Sequence, residues 1–193
     1  MRGGKTKVAS AAFLAKVLRM LDLERFKIAQ ADPSNGFAVA LGELRNGRKL
    51  SHWIWFIFPQ LRILGRSPTA QFFGFDDAED AREFIRDDEL SANLVSSMQV
   101  VSKKLEDGVP IEELMGSYTD SMKLVSCCTL FKYALEAEGS ALAGVRENEI
   151  LSLANRILQL ADKGGFGECS ITRKHLVQKE EFPASGKSTE DEV

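Results

Sequence analysis

Apolar residues recur at helical spacing through most of the chain, so helices are the elements the pattern predicts. Asp22 stands as an N-cap before a first helix from Leu23 to Gln30. Asp32-Pro33 then punctuates, an aspartate cap followed by proline at the first helical position. Phe37, Leu41 and Leu44 repeat behind it up to a glycine stop at Gly47. Leu61 to Arg66 reads as a loop, and Ser67-Pro68 as the cap of a short turn of helix through Phe72. Asp76 caps a helix in which Ala78, Ala81, Phe84 and Ile85 face inward. Leu90, Leu94, Met98, Val101 and Leu105 mark a longer helix, stopped by Gly108 and Pro110 and followed by a short piece from Ile111 to Met115. Asp120 caps the next, which carries Leu124, Cys128, Phe131 and Leu135 on one face. A final helix from Glu147 to Lys163 buries Ile150, Ala154, Ile157 and Ala161 and ends at Gly164. Strand candidates are short, and no internal repeat is visible. The expectation is a mainly α chain: a compact single-domain bundle of roughly six to eight helices. Its core is expected to centre on Phe26, Leu41, Phe56, Leu94, Leu124, Phe131 and Ile157.

One stretch escapes the periodicity argument. His52-Trp53-Ile54-Trp55-Phe56-Ile57-Phe58-Pro59-Gln60 is apolar almost throughout and holds both tryptophans of the protein. Length and pattern leave it open as a buried strand or a buried helix. Read as a helix, it sets His52, Trp55, Phe56 and Pro59 on one side; read as extended chain, it sets Trp53 and Trp55 on one face.

The ends differ from the middle. Before Asp22 the chain carries Arg2, Lys5, Lys7, Lys16 and Arg19 with no acid, and Phe13, Leu14, Val17, Leu18 and Leu21 share one helical face. A basic, acid-free amphipathic start is the form of an organellar presequence; the alternative is a lead-in helix packed on the domain. Residues 1–21 are therefore read as a basic amphipathic extension, 22–176 as the helical domain and 177–193 as a polar, disordered tail.

Composition narrows the function classes. The 193 residues carry a net charge of −3, with 44% hydrophobic and 27% charged residues, ordinary for a globular chain. There is no basic excess of the kind that phosphate neutralisation demands of a nucleic-acid binder. No apolar run is long enough to cross a bilayer, so no membrane partner is expected either. The three cysteines, Cys127, Cys128 and Cys169, form no CxxC pair, and with two histidines the chain lacks the ligands of a structural zinc site. Reduced thiols and a cytoplasmic setting fit that pattern. Nothing in the sequence calls for a metal or cofactor.

Four segments together resemble a known family. They are Leu23-Glu24-Arg25-Phe26 with Ala29-Gln30; Gly47-Arg48-Lys49 leading into the tryptophan nonapeptide; Leu64-Gly65-Arg66-Ser67-Pro68; and Lys123-Leu124-Val125-Ser126 with Thr129-Leu130-Phe131. The chain is similar, over about 22–176, to the DUF1810 family of small, all-helical, mainly bacterial domains of unestablished activity. Some members carry the label calpastatin. An inhibitor of that kind is long, disordered and repetitive, whereas this chain is compact and apolar. The resemblance departs near its end, where Gly164-Gly165-Phe166-Gly167-Glu168-Cys169 leads to Thr172 without the family's aspartate.

The motifs supply the candidate chemistry. His52, Lys123 and Ser126 are the candidate catalytic groups; Trp53, Trp55, Gln60, Arg66, Ser67 and Thr129 are the candidate ligand-binding groups. His52 could serve as acid or base near neutral pH, or be a core histidine bonded to a carbonyl. Gln60, Arg66 and Ser67 suit an anionic or nucleotide-like ligand, although Ser67 also fits plain helix capping. Asp120 and Lys123 are spaced to pair on one helix face, and Lys123, Ser126 and Cys127 form a polar stripe beside the apolar one. Cys127 and Cys128 read most simply as small buried thiols. The function expected is binding or processing of a small anionic, nucleotide-like metabolite in a pocket shared by the two motif segments. The rival is a protein-interaction or regulatory module without catalysis. Neither fixes an oligomeric state.

Overall fold

The computed structural model describes residues 18–19, 22–137 and 144–181. Its elements are α1 (Glu24–Gln30), α2 (Phe37–Arg45), α3 (Ile54–Ile57), a 3₁₀ turn (Arg62–Leu64), α4 (Pro68–Phe73), α5 (Ala78–Arg86), α6 (Asp88–Glu106), α7 (Ile111–Met115), α8 (Tyr118–Glu136), α9 (Val145–Lys163) and α10 (Ser170–Glu181). The mainly α class holds. The helices outnumber the expectation because the nonapeptide coils into the single turn α3 and because α10 follows Gly164.

Three long helices make the frame. α9 lies along α6 and α8, while α2 packs on α6, and α5 and α10 pack on α8. Phe26 of α1 anchors an aromatic cluster, its ring centroid 5.4 Å from Phe73, 5.4 Å from Phe75 and 5.2 Å from Phe84. Phe84 in turn lies 5.9 Å from Phe131 of α8. Tilted and edge-on rings at these spacings add to the area they bury. Every residue of the expected core is buried except Leu41, which is half-buried on α2.

The caps shift from their expected places by simple competition. α5 is capped by Asp77, not Asp76, and α8 by Ser117, not Asp120; their side chains accept from Asp80 N–H and Asp120 N–H at 3.1 Å each. Asp22 does not cap α1, whose N-cap position is Leu23. Asp32-Pro33 opens a turn instead of a helix. Asp32 Oδ1 accepts from Ser34 N–H at 2.7 Å, and its carbonyl takes the Gly36 N–H at 2.7 Å. Gly36 then stands at the N-cap of α2, where a Cβ would collide with the Asp32 and Gln30 carbonyls.

The nonapeptide is helical for one turn because Pro59 allows no more. Phe58 leaves the helical region (φ −123°, ψ 74°), which the residue before a proline disfavours. The Phe56 carbonyl freed there accepts Gln30 Nε2 at 2.7 Å, and Gln30 Oε1 accepts Asn93 Nδ2 at 2.8 Å. That chain of bonds satisfies a buried amide. Beyond it, Leu61 and Phe75 form an isolated parallel bridge that closes α4 into a loop.

At the start of the described chain, Arg19 pairs with Asp77 and Asp80 at the head of α5. The rest of the basic extension, and with it the presequence expectation, lies outside the described residues. α10 runs through Glu181, past the 176 boundary read from the sequence. Among the described residues no helix is long and apolar enough to cross a membrane.

Candidate functional site

The site is built where α3, the 3₁₀ turn, α4, α8 and the start of α10 meet. A cavity of about 390 Å³ opens there, a volume within the range of small-molecule sites. Trp55, Leu64, Ala70, Met122 and Ile171 supply much of an apolar wall; Lys123 and Arg66 supply positive charge. Gln60, Ser67, Thr119, Ser126 and Cys169 add hydrogen-bonding groups. Two clefts of about 530 Å³ lie elsewhere, lined largely by charged residues that pair within them, such as Arg146 with Asp88 and Lys27 with Asp87.

Local structure explains each placement. In the single turn α3, Ile54, Phe56 and Ile57 go to the core, which leaves Trp55 half-buried toward α8. Along α8, Thr119, Met122, Lys123 and Ser126 recur at intervals of three and four and so share the face toward the cavity. Ser67 caps α4, accepting Ala70 N–H at 3.2 Å, with Pro68 at the first position.

Two lysines and two tryptophans alternate beside the cavity. Lys123 Nζ lies 4.5 Å above the Trp55 ring and Lys49 Nζ 5.2 Å above the Trp53 ring, both within cation–π range. Asp120 joins them, at 2.8 Å from Lys123 Nζ and 2.6 Å from Lys49 Nζ. Burial pushes the Asp120 carboxyl up, and the two ammonium groups outweigh that and hold it below its ordinary value. One carboxylate against two lysines leaves a net positive charge. Arg66 adds another and has no ion pair among the described residues. Lys49 is fixed from behind: its N–H donates to Leu114 O at 2.8 Å, and its carbonyl lies where a Cβ on Gly116 would come to 2.7 Å. Gly116 has φ 75°, so glycine is required there on both counts.

The remaining candidates lie apart from the cavity. Trp53 is fully buried and donates Nε1–H to Glu43 Oε2 at 2.7 Å. Thr129 is fully buried; it donates to Val125 O at 2.8 Å and accepts Cys169 N–H at 3.1 Å, so it holds a cavity residue from behind. His52 is exposed, neither a core histidine nor part of the cavity lining, and among the described residues only its backbone is engaged, by Asn35. Ser126 and Cys127 share the α8 surface read as polar, yet only Ser126 reaches the cavity; Cys127 is fully buried. Burial pushes the Cys127 thiol far up, helped by Cys128, and the Cys128 thiol to about 12, so both are inert at neutral pH.

Sequence reasoning passed over Thr119, Met122, Cys169 and Ile171. The first two were findable, Thr119 being one turn before Lys123 and Met122 one turn before Ser126. Cys169 and Ile171 were not, because α10 is polar and carries too weak an apolar stripe to announce itself. Among the described residues no group of His, Cys, Asp or Glu is arranged to hold a metal.

Comparison with known proteins places the chain without assigning it an activity. It belongs to the family described as protein of unknown function (DUF1810), which matches residues 20–147. It is similar to a solved structure, that of the conserved hypothetical protein Rv1873 from Mycobacterium tuberculosis. The two are 36% identical with a TM-score of 0.64, over 81% of this chain and 96% of that one. No curated protein matches the chain at a significant level.

Proposed function

We propose that the cavity between α3, α4 and α8 binds, or processes, a small anionic metabolite of nucleotide type. The observation that supports this reading is the convergence of Trp55, Lys123 and Arg66, from three separate segments, on one mostly apolar cavity with a surplus of positive charge. Small-ligand sites are built that way, with a few placed polar groups on an apolar lining. Lys123 and Arg66 would take the anion, Trp55 and Leu64 would cover the apolar body, and Gln60, Ser67 and Ser126 would orient it. His52, Trp53 and Thr129 have no direct role in this reading; Trp53 packs against Lys49, and Thr129 holds the backbone of Cys169. A cytoplasmic setting goes with it, since free thiols persist in a reducing compartment.

The test is a thermal-shift screen of nucleotides and phosphorylated metabolites against wild type and Lys123→Met. A ligand present at a hundred times its Kd stabilises the wild type by about 2.7 kcal/mol. Lys123→Met is expected to fold with a midpoint near that of the wild type, because Lys49 still pairs Asp120, and to lose the ligand shift. If no compound shifts the wild type, or both proteins shift alike, the interaction module takes the place of this reading.

A further inference from the structure

Two glutamines are buried to the same degree and differ in what they bond. Gln30 is 6% exposed and Gln60 8% exposed. Gln30 is engaged at both ends of its amide: Nε2–H donates to Phe56 O at 2.7 Å, and Oε1 accepts Asn93 Nδ2–H at 2.8 Å. The Gln60 amide makes no hydrogen bond among the described residues. The side-chain atoms there that are both sealed from solvent and unpartnered are Arg25 Nε and Thr172 Oγ1. Neither bonded nor sealed, the Gln60 amide opens on the cavity that Gln60 lines. Burying an unbonded amide costs free energy, so its partners must come from outside the chain. The backbone beneath it is fixed. Gln60 O accepts Phe75 N–H at 3.0 Å and Phe75 O accepts Arg62 N–H at 2.8 Å, on either side of the Leu61–Phe75 bridge. Ser126, the other buried polar side chain of the lining, gives its proton to Met122 O at 2.7 Å. Between these two, Gln60 is the one that presents free donors beside a free acceptor.

We propose, building on the reading of this cavity as a nucleotide-type site, that Gln60 is its specificity-determining residue and reads the base. An anion alone does not fit the amide, because the amide oxygen would face another acceptor. The matching group carries an N–H donor beside an acceptor, as the polar edge of a nucleobase does. Gln60 Nε2–H donates to the ring nitrogen or carbonyl, and Oε1 accepts the N–H. A sugar also has donors and acceptors, and the rest of the lining separates the two. Trp55, Leu64, Ala70, Met122 and Ile171 cover a flat ring whose polar groups lie on one edge. They would leave hydroxyls spread around a sugar ring unpaired, at a cost for each. Lys123 and Arg66 remain for the phosphate.

The test is calorimetric titration of the full-length protein with the 5′-monophosphates of adenosine, guanosine, cytidine and uridine, and with ribose 5-phosphate. Wild type, Gln60→Met and Lys123→Met are compared. Wild type is expected to bind at least one of the four nucleotides about tenfold or more tighter than ribose 5-phosphate. Gln60→Met keeps the bulk of the side chain and removes both bonding groups. It is expected to lower the ratio of those two affinities about tenfold, because the base edge is left unpaired. Lys123→Met is expected to weaken nucleotide and ribose 5-phosphate together and leave the ratio as it was. The thermal midpoint gives a second readout that a structural glutamine would not share. Gln60→Met is expected to melt at or above the wild type, since no bond within the protein is lost, whereas Gln30→Met melts lower. An unchanged affinity ratio, a midpoint that falls in Gln60→Met as in Gln30→Met, or ribose 5-phosphate bound as tightly as the nucleotides would overturn the role of Gln60 and leave the anion site standing. No binding of any of the five compounds would overturn both.

Discussion

Phe84→Ala is expected to cost about 3–5 kcal/mol, the largest loss among single substitutions considered, because it empties the place where three rings meet. Phe84 is fully buried and touches Phe26, Phe75 and Phe131, so it ties α1, the chain beside the 61–75 bridge, and α8 to one another. The surrounding rings belong to different elements and cannot all collapse into the gap. For a chain of this size the thermal midpoint should fall by roughly 6–20 °C. Chemical denaturation checks the free energy directly. A loss under about 1 kcal/mol would mean that the cluster relaxes freely and does not organise the fold.

The second large effect belongs to Glu43 on α2. Its carboxylate accepts Leu50 N–H at 2.7 Å, Ser51 N–H at 3.1 Å, the Ser51 hydroxyl, and Trp53 Nε1–H at 2.7 Å. One side chain thus closes the loop that enters the nonapeptide. Glu43→Ala strands these donors together and is expected to cost about 2–3 kcal/mol. The pH dependence has a definite sign. Burial raises the Glu43 carboxyl, but the four donors outweigh it, so it titrates below its unfolded value. Its contribution is fully present above the unfolded value and is lost as pH falls through the folded one. Stability measured against pH should therefore drop less steeply in acid for Glu43→Ala than for the wild type. Parallel acid limbs would show that the carboxylate is not the acceptor that fixes this loop.

These effects show what was legible in the sequence. The long helices could be read because their apolar residues repeat over enough turns to define a face, as Leu90, Leu94, Met98 and Val101 do. The caps were misplaced by one to three residues wherever several acceptors stood together. Asp76 and Asp77 are adjacent, and Ser117 competes with Asp120, so local pattern alone could not choose. The nonapeptide resisted because a single buried helical turn has no second turn in which to repeat. Its proline, not its periodicity, sets its length.

The cavity was half legible for a related reason. Residue type picked out Trp55, Gln60, Arg66, Ser67, Lys123 and Ser126, and all six line it. Type also picked out His52, Trp53 and Thr129, and only tertiary placement separates these: one is exposed and two are buried behind the site. The stacking of Lys123 on Trp55 and the link from Lys49 to Asp120 could not be foreseen, since each joins residues from distant segments. The same holds for Cys169, which reaches the cavity only because α10 packs on α8.

Fluorescence of the two tryptophans tests the central proposal most directly. Trp55 lines the cavity and Trp53 is sealed against Glu43, so a ligand in the cavity can alter only Trp55. Titration of wild type with the nucleotide that most raises its thermal midpoint should give a saturable change in emission, and Trp55→Phe, which keeps Trp53, should give none. An undisturbed wild-type spectrum at saturating ligand, or a change that survives in Trp55→Phe, would contradict the account.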